Sequence, residues 1–66
     1  MRILLNGEVR EFPEPQTIST LLLAAGYAER RVAVEVNREI VAKGRHAGHA
    51  LADGDRVEII QAIGGG

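Results

Sequence analysis

The side chains that could do chemistry are few and scattered. His46 and His49 are the two histidines, and at a spacing of three residues they could face the same way on one helical turn. A metal site needs a third and a fourth ligand, and the sequence has no cysteine to supply one. We therefore predict solvent-exposed histidines and no bound metal.

The remaining candidate catalytic side chains are better explained by roles in the fold. Asp53 and Asp55 flank a glycine, a pattern typical of a tight turn rather than of a catalytic carboxylate pair. Thr17, Ser19 and Thr20 stand at a predicted helix start, where capping explains their hydroxyls and no general base is nearby in sequence. We predict no catalytic residue and no enzyme activity.

The glycine end is the feature that folding does not explain. Gly64, Gly65 and Gly66 lose much entropy on ordering and bury no side chain. From Gln61 onward the segment can reach about 17 Å, at about 3.4 Å per residue, which suffices to enter a narrow pocket on another protein. Residues 62–66 are thus predicted to form a flexible tail that presents the Gly66 carboxylate, the alternative being a frayed end.

Composition excludes several classes of protein. The chain has 66 residues, a net charge of −1 and 3% aromatic residues, which argues against nucleic acid as a partner. The longest apolar run, residues 21–25, is far shorter than the roughly 20 residues that span a bilayer. Because Met1 leads directly into an apolar strand pattern, we expect no signal peptide and a cytoplasmic location.

The first half of the chain predicts a hairpin and a helix. Residues 2–5 form an apolar strand, the Asn6-Gly7 pair predicts a tight turn, and a second strand follows from about Glu8 to Phe12. Which residues of this second strand face the core stays undecided. Val9 and Phe12 differ by an odd number of positions, so they cannot both face inward without a bulge. A helix is predicted over 17–25, with an apolar stripe ended by Gly26. The stripe comprises Ile18, Leu21, Leu22 and Ala25.

The second half adds strands. Residues 32–36 alternate with Val34 and Val36 inward, a turn follows at 37–39, and residues 40–41 form a short strand. Residues 43–50 are irregular with one helical turn at most, and a last strand spans 56–61. The sequence thus predicts one α+β roll, domain 1–66, in which a helix packs across a mixed sheet of four to five strands. Its core combines the helix stripe with Ile3, Leu5, Val34, Val36, Val57 and Ile59.

Together these segments resemble a known family. The strand ILLNG at 3–7, the helix at 17–25, VEVN at 34–37, DGDRVEI at 53–59 and the terminal Gly65-Gly66 are similar to the ThiS family of sulfur carriers for the thiazole of thiamine. Each motif is weak alone, and the resemblance covers essentially the whole chain. It implies the ubiquitin-like β-grasp fold, with the first and last strands parallel in the middle of the sheet.

The resemblance also implies a reaction cycle at Gly66. A ThiF-type, E1-like adenylyltransferase would use ATP and Mg²⁺ to adenylate the Gly66 carboxylate. Sulfur from a cysteine desulfurase would replace AMP, and a ThiG-type thiazole synthase would consume the resulting thiocarboxylate. Gly64 and Gly65 would thread into the partner's pocket, and the carrier itself would bind no cofactor.

Partner docking is predicted to use an apolar patch as well as the tail. Strand alternation places Leu4 and Ile60 on the outer face of the sheet, where we expect them to be neighbours. With Ala62 and Ile63 they would form the patch, and Arg2, Arg56 and Glu58 a polar rim. The alternatives left open are a sulfur carrier for molybdopterin or another thiocarboxylate pathway, and a ubiquitin-like modifier or interaction domain.

Overall fold

The computed structural model describes residues 1–28 and 30–61. It contains one helix and five strands in the order β1 (Arg2–Leu5), β2 (Glu8–Glu11), α1 (Ile18–Ala24), β3 (Val32–Val36), β4 (Glu39–Val41) and β5 (Arg56–Gln61). A 3₁₀ turn spans Lys43–Arg45, between β4 and β5. No helix in the described ranges is long and apolar enough to cross a membrane.

The strands form one mixed sheet in the order β2-β1-β5-β3-β4. β1 and β5 pair in parallel, whereas the pairs β1–β2, β3–β4 and β3–β5 are antiparallel. The first and last strands therefore lie side by side within the sheet, as the family resemblance implies. The predicted α+β roll is confirmed.

The turn between β1 and β2 settles which way the second strand faces. Asn6 and Gly7 both have positive φ, 48° and 84°, as a two-residue hairpin turn requires. The resulting register pairs Leu4 with Val9, so Val9 lies on the outer face. Phe12 is three residues further along and is buried on the inner face. The two apolar residues thus occupy opposite faces, and no bulge is needed.

Helix α1 begins and ends as its sequence predicts. The Thr17 hydroxyl accepts a hydrogen bond from the Thr20 amide at 3.2 Å, and the Thr20 hydroxyl accepts one from the Thr17 amide at 2.8 Å, forming a capping box. Gly26 follows the helix with φ 90°, a conformation that side chains with a Cβ rarely adopt. The Gly26 and Tyr27 amides donate to the carbonyls of Leu23 and Leu22, which completes a Schellman end.

The core lies between α1 and the inner face of the sheet. Its largest fully buried side chains are Ile3, Ile18, Leu21, Val34 and Val57. Leu22 and Ala25, the other two residues of the predicted stripe, are partly buried against this cluster. Phe12 and Leu51, which the sequence did not assign to the core, are buried in it as well. Both lie in segments without a clear period, so alternation could not identify them.

Candidate functional site

Strand β5 leads into the glycine segment from the middle of the sheet. It lies between β1 and β3, and its inward residues Val57 and Ile59 are buried. Residues 62–66 follow directly after its last residue, Gln61. The C-terminal segment is therefore attached to one of the most constrained strands of the molecule.

Two asparagine side chains hold β5 in place. Oδ1 of Asn6 accepts a hydrogen bond from the Ile59 amide at 2.7 Å, just where β1 has ended and can no longer pair with β5. On the other side, Asn37 accepts from the Arg56 amide and donates to Asp55, both at 3.0 Å. Both asparagines sit in turns with positive φ, which Asn tolerates well. The Asn37 contact holds the first residue of β5, and the Asn6 contact holds the strand beyond the end of β1.

The carboxylates at 53 and 55 serve the turn before β5. Oδ1 of Asp53 accepts from the Arg2 amide at 2.6 Å, and Oδ2 of Asp55 accepts from the Ala52 amide at 2.8 Å. One oxygen of each carboxylate thus accepts from a backbone amide, and Oδ1 of Asp55 accepts from the Asn37 side chain. The prediction that these residues shape a turn is confirmed.

The prediction of solvent-exposed histidines is wrong for His46. Its side chain is buried at 6% exposure, and Nε2 lies 3.0 Å from the carbonyl oxygen of Val41. The reason is that residues 43–50 fold back over the start of α1, where the carbonyls of His46 and His49 accept from the amides of Ser19 and Ile18. Sequence periodicity gives no sign of this packing. In the described ranges no group of three or more His, Asp or Glu is placed to hold a metal ion.

Two residues of the predicted apolar patch, Leu4 and Ile60, are not neighbours in the sheet. Leu4 and Ile60 both lie on the outer face, but Leu4 pairs with Arg56 and Ile60 pairs with Ala33. Four residues of β5 therefore separate them, about 13 Å at roughly 3.3 Å per residue. The expectation that they are neighbours is wrong, because the register of a parallel strand pair cannot be read from alternation. Ala62, Ile63, Gly64, Gly65 and Gly66 lie outside the described residues.

The outer face instead carries two separate apolar positions near β5. Leu4 lies beside Val9, which is 64% exposed, whereas Ile60, 54% exposed, lies close to the C-terminal segment. Sequence reasoning missed Val9, although a two-residue Asn-Gly turn already implies its pairing with Leu4. Of these positions, Ile60 is the one next to the segment that a partner would receive.

Charged side chains separate the two apolar positions. Arg56 and Glu58 of β5 form a salt bridge of 3.4 Å, and Arg2 lies 4.0 Å from Glu11. These pairs are largely exposed, so they contribute little to stability. The three residues predicted as a polar rim do lie on the outer face, where charged groups can select between partners.

The comparisons with known proteins agree with this architecture. A family model described as the ThiS family matches residues 3–66. The sulfur carrier protein ThiS of Escherichia coli is 32% identical over 66 residues, with both chains fully covered. A solved structure of the thiamine biosynthesis protein ThiS of Geobacter metallireducens superposes with a TM-score of 0.86 at 30% identity, again with both chains fully covered.

A longer relative contains the same unit. A thiazole synthase of Paramagnetospirillum magneticum is 47% identical over 66 residues, and the chain spans 20% of that protein's length. The match to the family model covers nearly the whole sequence, and the fold, the central β5 and the glycine end all agree with it. The chain therefore belongs to the ThiS family.

Proposed function

We propose that this chain is a sulfur carrier for the thiazole ring of thiamine, and that it acts as a co-substrate rather than a catalyst. The observation that carries the proposal is the full-length similarity to the Escherichia coli sulfur carrier ThiS, which extends through the glycine end. Among the described residues no rival site is formed: His46, Asp53 and Asp55 hydrogen-bond to the backbone, and no group of His, Asp and Glu is placed to hold a metal ion.

The chemistry takes place at the carboxylate of Gly66. In the active site of an E1-like adenylyltransferase of the ThiF type, this carboxylate attacks the α-phosphorus of ATP, which is bound with Mg²⁺. The products are an acyl adenylate and pyrophosphate. A sulfur nucleophile at the oxidation level of sulfide then displaces AMP and leaves a thiocarboxylate. If the sulfur arrives as a persulfide from a cysteine desulfurase, a thiol must also reduce the intermediate disulfide. ATP and Mg²⁺ are bound by the activating enzyme and not by the carrier. We expect the carrier and these partners to occur in the cytoplasm.

The sequence suits this role in two ways. Glycines lack Cβ atoms, so a partner's backbone can close around residues 64–66 and reach the terminal carbonyl. The chain also has no cysteine, so no thiol of the carrier itself can intercept the activated ester. The folded part supplies the surface that the partner recognises.

The consumer of the sulfur is a ThiG-type thiazole synthase under this proposal. Support comes from the Paramagnetospirillum magneticum protein of that name, one part of which is 47% identical to this chain. Carriers for molybdopterin or other thiocarboxylate pathways share the chemistry, and a ubiquitin-like modifier would instead join Gly66 to amines on target proteins. The acceptor therefore has to be tested directly.

Intact mass spectrometry tests the proposal. The chain is incubated with ATP, Mg²⁺, the ThiF-type enzyme and a cysteine desulfurase system, beside a variant that lacks Gly66. We expect a gain of about 16 Da, sulfur for oxygen, in the full chain only, and its loss when thiazole synthase and its substrates are added. An unchanged mass with an enzyme that activates another carrier would overturn the proposal, and transfer to protein amines would favour a modifier.

A further inference from the structure

A groove with a positively charged rim opens on the helix side of the molecule. It has a volume of about 720 Å³ and lies between α1, the segment leading into β3 and the 3₁₀ turn. Three partly buried apolar side chains that pack against the core form its floor, and three exposed cations form its rim. This basic groove is defined by Leu22, Tyr27 and Val32 on the floor and by Arg30, Arg31 and Lys43 on the rim.

The charge of the groove differs from that of the chain. The protein as a whole carries a net charge of −1, yet no carboxylate lines the groove among the described residues. Glu29 belongs to the same stretch of sequence and lies outside the described residues. Two cations elsewhere, Arg2 and Arg56, lie beside the carboxylates of Glu11 and Glu58. Three cations without a carboxylate among the described lining residues make the groove locally positive, which favours an acidic ligand.

The groove adjoins the start of the C-terminal segment. Val32 on its floor is the residue of β3 that pairs with Gln61, the last residue of β5. Residues 62–66, the last three of which are glycines, begin at the next position along the chain. A protein that receives this segment must therefore bring its own surface close to the basic groove.

The local backbone favours an acidic protein segment over a free phosphate. Ser19 and Leu22 of helix α1 line the groove, and the amides of Gly26 and Tyr27 after the helix already donate to helix carbonyls, so neither is free to bind a phosphate. A phosphate site normally uses free backbone N–H groups at a helix N-terminus. Separated cations around an apolar floor instead match carboxylates that alternate with apolar side chains.

We propose that the basic groove docks an acidic, partly apolar segment of the enzyme that activates Gly66. The proposal rests on the proposed function, because it identifies the partner by that reaction. In this arrangement the tail supplies the reacting group, while the groove supplies electrostatic attraction and orientation. Charge complementarity of this kind acts mainly on the rate of association and on partner choice.

A charge reversal with a matched control tests the groove in the activation reaction. One double variant carries Arg31→Glu and Lys43→Glu; the control carries Arg10→Glu and Arg38→Glu, two exposed cations outside the groove with the same change in net charge. ATP–pyrophosphate exchange gives kcat and KM for each carrier, and thermal unfolding verifies that each variant is folded. We expect the groove variant to raise KM at least about tenfold with kcat within about twofold, and the control to leave both nearly unchanged.

The outcomes separate the two proposals. Equal KM values for the two double variants, with an active wild-type carrier, would overturn the groove and leave the proposed function intact. A wild-type carrier that is not activated would overturn the proposed function and the identity of the partner together. The groove itself can then be tested without the enzyme.

An NMR titration provides that independent test. The wild-type chain is titrated with a peptide of alternating Glu and Leu, with a Lys and Leu peptide of the same length, and with inorganic pyrophosphate. We expect saturable amide shifts at Leu22, Tyr27 and Val32 with the acidic peptide alone. Saturation by pyrophosphate alone would make this a small-anion site, and no saturable shift with the acidic peptide would refute a docking groove; either result overturns the proposal.

Discussion

The helix and sheet of this chain use their amino acids differently from its last five residues. In the core between helix and sheet, side chains such as Ile3, Leu21 and Val57 are fully buried, so their size and position determine stability. Residues 62–66 include three glycines, which have no side chain to bury. The comparison teaches that stability and the proposed sulfur chemistry depend on different residues: a core substitution is expected to lower stability, a glycine substitution is expected to impair the reaction, and neither is expected to change the other property.

The two regions are joined at β5, a strand with hydrogen-bonded neighbours on both edges. It is paired on both sides, and the Asn6 side chain takes over the Ile59 amide where β1 ends. Under the proposed function, a partner that draws residues 62–66 into its pocket would exert a force on this strand. A central strand, with hydrogen bonds on both edges, resists displacement better than an edge strand does.

The largest effect on the folded part is expected for Leu21→Ala. Leu21 is fully buried, so truncation leaves a cavity and should lower the free energy of unfolding by about 3 kcal/mol. A chain of this length is expected to have a total stability of only about 3–10 kcal/mol. Urea unfolding followed by circular dichroism measures the change. Leu23→Ala is the matched control; Leu23 is 68% exposed, and a cost above about 1 kcal/mol there would contradict the assigned helix face.

The converse change is Gly65→Val, which is expected to abolish function without touching stability. The added isopropyl group would keep a narrow pocket from closing around the segment, and small misplacements of a reacting group cost about a hundredfold in rate. Activation by the ThiF-type enzyme should fall by at least about that factor, with an unchanged urea midpoint. Gly64→Ala is the comparison variant: it adds a single methyl group, one residue further from the Gly66 carboxylate, so we expect a smaller loss of activity than for Gly65→Val. Equal losses for both variants would mean that all three glycines are needed.

Most of the fold could be predicted because its signals are local. The Asn6-Gly7 turn, the Thr17 cap, the helix stripe and the alternation around Val34 each depend on a few adjacent residues. The resemblance supplied the parallel pairing of β1 and β5, which no local pattern specifies.

The errors concern contacts between distant segments. Burial of His46 depends on residues 43–50 folding over α1, and the separation of Leu4 from Ile60 depends on the register of β5 against β1. Both are set by tertiary packing. The assignment of Gly66 as the reacting end stays a prediction; it rests on the family resemblance and on a run of glycines that folding does not explain.

Ile60→Glu examines the border between the two regions. Ile60 is 54% exposed on the outer face, so a charge there should change the free energy of unfolding by less than about 0.5 kcal/mol. Its position one residue before Gln61 places it where a partner must approach, and we expect affinity for the activating enzyme to fall about tenfold. Calorimetric titration gives this value. Ile40→Glu, on the same face but in edge strand β4, is the control, and an unchanged affinity for the Ile60 variant would exclude it from the interface.

The smallest effect is expected for Thr17→Ala, which removes the helix cap. The Thr17 hydroxyl satisfies the Thr20 amide, and the loss of such a cap typically costs about 1 kcal/mol. Ser19→Ala is the control, because alanine suits a helix interior and we expect that variant to change stability by less than about 0.5 kcal/mol. Urea midpoints of the two variants should therefore differ, while both carriers are activated at the wild-type rate. A slower reaction for the Thr17 variant would contradict the separation of the two regions, since Thr17 lies outside the glycine segment and does not line the basic groove.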